Sequence, residues 1–218
     1  MSRSETENSR AKDRRAEVFS AAIAALQRGE VIAFPTETLY GLGADALSSA
    51  AVEKVFQLKG RDAANPIPVL VADRGMLGTL VSDIPPLAET LIARFWPGPL
   101  TIVFPARPDI PRPLVNAASG VGVRVSSQAI AGQLIKALGR PITATSANPS
   151  GRPAARTVQE AQKYFSGQID IFVDGGTLTS PTGSTVVEPV GDSLRILRAG
   201  EVSRSQLETV LGAERILA

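Results

Sequence analysis

The chain has 218 residues, 44% of them hydrophobic and 20% charged, with a net charge of +2, an ordinary profile for a soluble globular domain. It contains neither cysteine nor histidine, which excludes disulfides, thiol nucleophiles, a Ser-His-Asp triad and the commonest metal ligands. No apolar run approaches the roughly 20 residues that span a bilayer, and the polar N-terminus does not read as a secretory signal, so a cytoplasmic location without a membrane partner is expected.

Residues 1–13 (MSRSETENSRAKD) mix charges without apolar periodicity and are expected to form a flexible tail. A helix is predicted from Arg14, with Val18, Phe19, Ala22, Ile23 and Leu26 as its apolar stripe and Gly29 as its stop. Val31–Phe34 reads as a strand ended by Pro35, after which Thr36-Glu37-Thr38 offers hydroxyls and a carboxylate in a polar turn. Ser48 or Ser49 then caps a helix carrying Val52, Val55 and Phe56, which closes on Lys59-Gly60-Arg61. On their own, those two cations either complement the helix dipole or form a fork for phosphate or carboxylate.

Val69–Ala72 is predicted as a strand after the break at Asn65-Pro66-Ile67-Pro68, and a helix begins after Asp83, where Pro85 and Pro86 suit a first turn. Trp96-Pro97-Gly98-Pro99 is a rigid turn before the strand Leu100–Phe104, with Trp96 as a turn-packing aromatic. Pro105–Pro113 reads as a proline-rich loop with Arg107 and Arg112 in solvent. Gly120–Val125 alternates as a strand, in which a lone Arg124 would ordinarily face outward. A helix over Gln128–Leu138 precedes a strand over Pro141–Ser146, and a hydroxyl- and amide-rich loop follows. A helix over Val158–Phe165, strands at Ile171–Val173, Val186–Val187 and Leu194–Leu197, and a helix from about Ser203 complete the chain.

Strands interleaved with helices, without repeat or linker, predict one α/β domain over 14–218, built on a twisted mixed β-sheet flanked by helices. Neither the phosphate loop G-x-x-x-x-G-K-[ST] nor G-x-G-x-x-G is present. What recurs is a set of expected strand ends carrying a hydroxyl or a cation: Thr36, Lys59, Arg61, Arg124, Ser146, Asn148, Ser184 and Arg198. Strand ends converge on one rim of a sheet, so these residues could line a basic concave groove suited to a nucleoside triphosphate or a nucleic-acid backbone.

The segments FPTETLYGLG (34–43), Lys59-Gly60-Arg61, WPGPLT (96–101), Val123-Arg124-Val125, Thr145-Ser146-Ala147-Asn148 with Ser150-Gly151, Gly183-Ser184-Thr185 and Leu197-Arg198-Ala199-Gly200 resemble, in order, those of the YrdC-like family, the L-threonylcarbamoyladenylate synthases. The resemblance is to the short, single-domain form. It implies formation of threonylcarbamoyl-AMP and pyrophosphate from L-threonine, bicarbonate or carbon dioxide and ATP, for threonylcarbamoyladenosine on transfer RNA. It further implies threonine binding by Thr36, Arg61, Arg124, Ala144 and Ser184, and ATP binding by Lys59, Ser146, Asn148 and Arg198. Lys59 and Arg61 would be the catalytic cations, and Mg²⁺ would be held mainly by the ATP phosphates. The implied partner is a downstream tRNA threonylcarbamoyl transferase, with at most weak, non-specific RNA affinity. The chain departs from the family pattern at Asp62 and Ser126, where proline is usual, and at Leu70, where many members have histidine. Two other readings share the groove: a non-catalytic RNA-binding or ribosome-maturation module, and a carbamoyl-adenylate activity like that of hydrogenase-maturation proteins.

Overall fold

The computed structural model describes residues 3–62 and 65–217, with residues 3–12 described by their backbone alone. Helix α1 (Arg3–Gln27) begins ahead of the expected Arg14. The tail expected over 1–13 therefore falls partly outside the described residues, at Met1 and Ser2, and partly within the backbone of α1. Ala22, Ala25 and Leu26 of α1 are fully buried, with Val18, Phe19 and Ile23 packed beside them. This is the expected stripe with Ala25 added.

The first departure from the predicted order comes directly after β1 (Ile32–Pro35). The chain does not pass from the polar turn to a helix but folds back as β2 (Tyr40–Gly43), an antiparallel hairpin running from Ile32↔Gly43 to Pro35↔Tyr40. Two glycines in Tyr-Gly-Leu-Gly hide this strand, because glycine is a poor strand former. Packing requires one of them: a Cβ at Gly43 would lie 2.8 Å from the Phe34 ring. Helix α2 (Ser49–Lys59) follows, capped by the Ser48 hydroxyl, which accepts from the Ala51 amide.

The remaining strands are β3 (Val69–Leu70), β4 (Leu100–Pro105), β5 (Gly120–Arg124), β6 (Ile142–Thr143), β7 (Thr145–Ser146), β8 (Ile171–Phe172), β9 (Thr185–Val190) and β10 (Ser193–Arg198). The helices are α3 (Pro86–Phe95), α4 (Ala129–Leu138), α5 (Val158–Phe165) and α6 (Arg204–Leu211). The mixed α/β expectation holds, with the strands divided between a four-stranded sheet, β7-β2-β1-β8, and a six-stranded sheet, β10-β9-β4-β5-β3-β6. Both mix parallel and antiparallel pairs.

The single strand predicted over Pro141–Ser146 is in fact the crossing between the sheets. Thr143 pairs with Val69 in one sheet and Thr145 with Leu42 in the other. Between them the Ala144 amide donates to the Pro68 carbonyl at 2.9 Å. Beyond Gly43 the chain also bridges Asp45 to Ile142, so the sheets are joined along this seam.

Two apolar clusters hold the layers. The larger gathers α2, α3 and α5 against both sheets, with Tyr40, Phe104 and Phe165 almost fully buried. The smaller places α1 and α4 over Ile32, Phe34 and Leu70. Each such side chain contributes about 1.5–3 kcal/mol by leaving water. The Trp96–Pro97 peptide is cis, and Trp96 donates its ring N–H to the Leu100 carbonyl at 2.7 Å while packing edge-on against Phe104. It is a turn-packing aromatic, as expected.

Candidate functional site

The seam between the sheets opens into a cavity of about 520 Å³, lined by the β1–β2 turn, the segment Asn65–Pro68, strands β4, β5 and β7, and the ends of β9 and β10. Seven of the predicted site residues line it: Thr36, Arg61, Arg124, Ala144, Ser146, Ser184 and Arg198. Arg107 and Arg112 are exposed, as predicted.

Arg124 overturns its pattern-based reading. As the last residue of β5 it is only 3% exposed. Its Nη1 donates to Oε1 of Glu37 in the β1–β2 turn, and the Ser126 hydroxyl donates to Oε2 of the same carboxylate. Burial pushes the guanidinium pKa down from its usual value, while the Glu37 charge and hydrogen bond pull it up. The Nε of Arg124 is buried with no hydrogen-bond partner among the described residues.

Ser184, just ahead of β9, carries a second network. Its hydroxyl pairs with that of Thr101 at 2.9 Å and accepts from Nη2 of Arg198 at 3.0 Å. Arg198 also reaches the Ser184 carbonyl, from Nη2 at 2.7 Å and Nε at 3.2 Å. Its pKa is pushed down by burial first, then by the charges of Arg124 and Arg61. Three guanidinium groups thus face one cavity, and an anionic ligand would relieve their mutual repulsion.

Thr36 spends its hydroxyl on the turn itself. It donates to the Leu39 carbonyl at 2.7 Å and accepts from the Thr38 and Leu39 amides. Arg61 is thrown toward the cavity by Gly60, which ends α2 at φ 56°, a conformation that glycine takes without strain. Its Nε donates to the Asn65 carbonyl at 2.7 Å.

Lys59 and Asn148 stand behind the wall rather than in it. Lys59 is 3% exposed, and its Nζ donates to the backbone carbonyls of Ser146 at 2.6 Å and Asn148 at 2.8 Å. Burial, helped by the neighbouring charge of Arg61, pushes its pKa down to about 8. Asn148 donates Nδ2 to the carbonyls of Pro149 and Arg152, and its buried Oδ1 has no hydrogen-bond partner among the described residues. Lys59 therefore clips the end of α2 to the β7 loop. Leu70 does not line the cavity either; it is fully buried in the smaller core.

The cavity also contains Thr38, noted in the sequence only for its hydroxyl in the polar turn, and Thr101 and Asn116, to which sequence reasoning gave no site role. A signal existed for Thr101, the only polar residue in the strand LTIVFP (100–105). Asn116 accepts from the amides of Ala118 and Gly120 through Oδ1, shaping the turn ahead of β5. Among the described residues, no group of three or more acidic side chains could hold a metal ion.

Residues 24–200 match the Sua5/YciO/YrdC family model, which carries the description telomere recombination. A threonylcarbamoyl-AMP synthase of Pyrococcus abyssi is 40% identical over 191 residues, covering 88% of this chain and 56% of that protein. A putative threonylcarbamoyl-AMP synthase of Mycobacterium leprae is 37% identical, covering 92% of this chain and 90% of that protein. The crystal structure of Pyrococcus abyssi Sua5 complexed with L-threonine superposes with a TM-score of 0.87 at 39% identity, covering 93% of this chain and 59% of that one. The chain thus spans little more than half the length of the Pyrococcus relative and nearly all of the mycobacterial one.

Proposed function

The chain belongs to the Sua5/YciO/YrdC family, and from that premise we propose that it is a threonylcarbamoyl-AMP synthase acting in threonylcarbamoyladenosine formation on transfer RNA. The observation that carries this reading is the convergence of Arg61, Arg124 and Arg198 with the Ser184 hydroxyl on one cavity. Such a site suits substrates that bring a carboxylate and a polyphosphate together.

In the reaction, the threonine amine adds to carbon dioxide and loses a proton, giving a carbamate. A carbamate oxygen then attacks the α-phosphorus of ATP, and the bond to the β-phosphate oxygen breaks to release pyrophosphate. Arg124, Arg61, Ser184, Thr36 and Ala144 form the threonine side. Arg198, Ser146, Asn148 and Lys59 form the ATP side, Lys59 and Asn148 by holding the β7 loop behind it. Catalysis rests on positioning and on the positive charge around the leaving pyrophosphate. Mg²⁺ would be held mainly by the ATP phosphates, where it would add positive charge at the leaving pyrophosphate. The catalytic unit lies within residues 14–218 and works in the cytoplasm, handing its adenylate to a tRNA threonylcarbamoyl transferase. No helix among the described residues is long and apolar enough to cross a membrane.

Pyrophosphate release is the test. It requires threonine and bicarbonate together, and serine supports it about tenfold less well, because one missing methyl is worth about 1.4 kcal/mol in a well-packed apolar spot. Release at the full rate without threonine overturns the reading. RNA binds weakly, falls away with salt and is displaced by ATP, since both polyanions use the same cations. Tight, salt-tolerant RNA binding indifferent to ATP would favour an RNA-binding module instead.

A further inference from the structure

Glu37 is an acid beside the cavity to which the reaction above assigns no task. It lies in the β1–β2 turn with its side chain 14% exposed, and both of its oxygens are used inside the protein. Oε1 accepts from Nη1 of Arg124, and Oε2 accepts from the Ser126 hydroxyl. Ser126 is itself fixed: its Oγ accepts from the amide of Gln128, the residue that caps α4, at 3.2 Å. A chain of contacts therefore runs from α4 through Ser126 and Glu37 to Arg124. Arg124 borders the cavity, whereas Glu37 stands behind it.

A guanidinium offers five N–H groups in one plane, arranged as edges that each match a carboxylate. Glu37 occupies Nη1, and Nε is buried without a partner. A buried donor left unsatisfied is costly, so the Nε–Nη2 edge is where a second carboxylate gains most. Arg198 and Arg124 carry like charges that act on one another, and an arginine with four rotatable bonds has freedom to lose. Fixing it on Glu37 removes that freedom before any ligand arrives. The same carboxylate offsets part of the Arg124 charge. Arg124 then suits a singly charged carboxylate, and Arg61 and Arg198 are left for the more highly charged phosphates.

We propose that Glu37 is a positioning residue: by holding Nη1 of Arg124 it turns the Nε–Nη2 edge of that guanidinium toward the carboxylate of the amino-acid substrate, and Ser126 keeps Glu37 in register. The inference rests on the threonine-dependent reading of the cavity.

The experiment measures pyrophosphate release by the full chain against threonine and, separately, against ATP, for wild type, Glu37→Gln and Ser126→Ala, with thermal unfolding of each. Glutamine keeps the size of Glu37 and one acceptor but removes its charge. The expected result for Glu37→Gln is a threonine KM raised about tenfold with the ATP KM held within about twofold. Ser126→Ala raises the threonine KM alone, by about threefold, since Glu37 keeps its bond to Arg124. An unchanged threonine KM in Glu37→Gln overturns the proposal, as does a parallel rise of both KM values with a lowered unfolding midpoint. If Glu37→Gln does not fold, Ser126→Ala decides: a rise confined to threonine supports the proposal and no change overturns it. Wild-type release that ignores threonine sinks the synthase reading itself and this inference with it, an outcome visible before any variant is made.

Discussion

Arg124 and Lys59 are each 3% exposed, yet one rests on a carboxylate and the other on two backbone carbonyls. A carboxylate supplies a full opposite charge and holds a guanidinium in one plane. Burial prevails at both and pushes both pKa values down, but Glu37 offsets part of it for Arg124. Carbonyls supply only dipoles, and the Lys59 pKa, lowered further by the Arg61 charge, sinks to about 8. The cation at the cavity is held as a charged, oriented group, while the cation behind the wall is held as a clip on the β7 loop. Two kinds of defect should therefore be separable.

The largest effect is expected from Arg124→Lys. The charge survives but the bidentate edge does not, so threonine KM should rise on the order of a hundredfold, for a loss of about 2–3 kcal/mol. Steady-state pyrophosphate release at low threonine reads this directly, and wild-type behaviour would reduce Arg124 to a structural ion pair. Lys59→Met should strike the other side. It leaves the carbonyls of Ser146 and Asn148 without their donor, raising the ATP KM about tenfold with threonine affinity largely kept. Equal losses for both substrates would erase the distinction between the two regions.

The two cations also differ in what pH does to them. The folded-state pKa of Lys59, about 8, lies below its ordinary 10.5, so between these values the unfolded chain binds more protons. The contribution of Lys59 to stability therefore rises with pH across that window and is flat below it. The unfolding free energy of wild type minus that of Lys59→Met, measured in urea from neutral pH upward, should climb above about pH 8. A flat difference would mean that Lys59 is not desolvated. The smallest effect belongs to Arg195→Ala, which breaks the 2.8 Å contact with Glu188 across β9 and β10. Arg195 is half exposed, so the stability change should stay within about 0.5 kcal/mol and leave both KM values alone.

The helices were largely legible because their ends are written in short local codes. Ser48 caps α2, and Ser203 with Gln206 forms a capping box on α6, where the last helix was expected. The strand β2 was not, since Gly41 and Gly43 suppress the strand signal and only their closeness to Phe34 explains them. The division of 141–146 between two sheets left no local trace either. It is set by Pro68 and Leu42, which are distant in sequence. In the site, residue type announced charge but not direction. Glu37 offered a carboxylate to any ligand on paper, and its use on Arg124 depends on a partner 87 positions away. Lys59 and Asn148 were selected with the rest, and only the packing of α2 against the β7 loop turns them inward.

Ala144 sits at the point where one length of backbone belongs to both sheets in turn. The two walls of the cavity are continuous cloth there, woven from a single run of backbone. Ala144 borders the cavity and is 9% exposed. Lengthening that one side chain would shrink the chamber without touching a charge, and nothing on the arginine face would register the change. Molecular size and molecular charge would then be graded by different residues, and a descendant of this chain could alter the bulk of its guest by a change at Ala144 while leaving its electrical preferences as they stand.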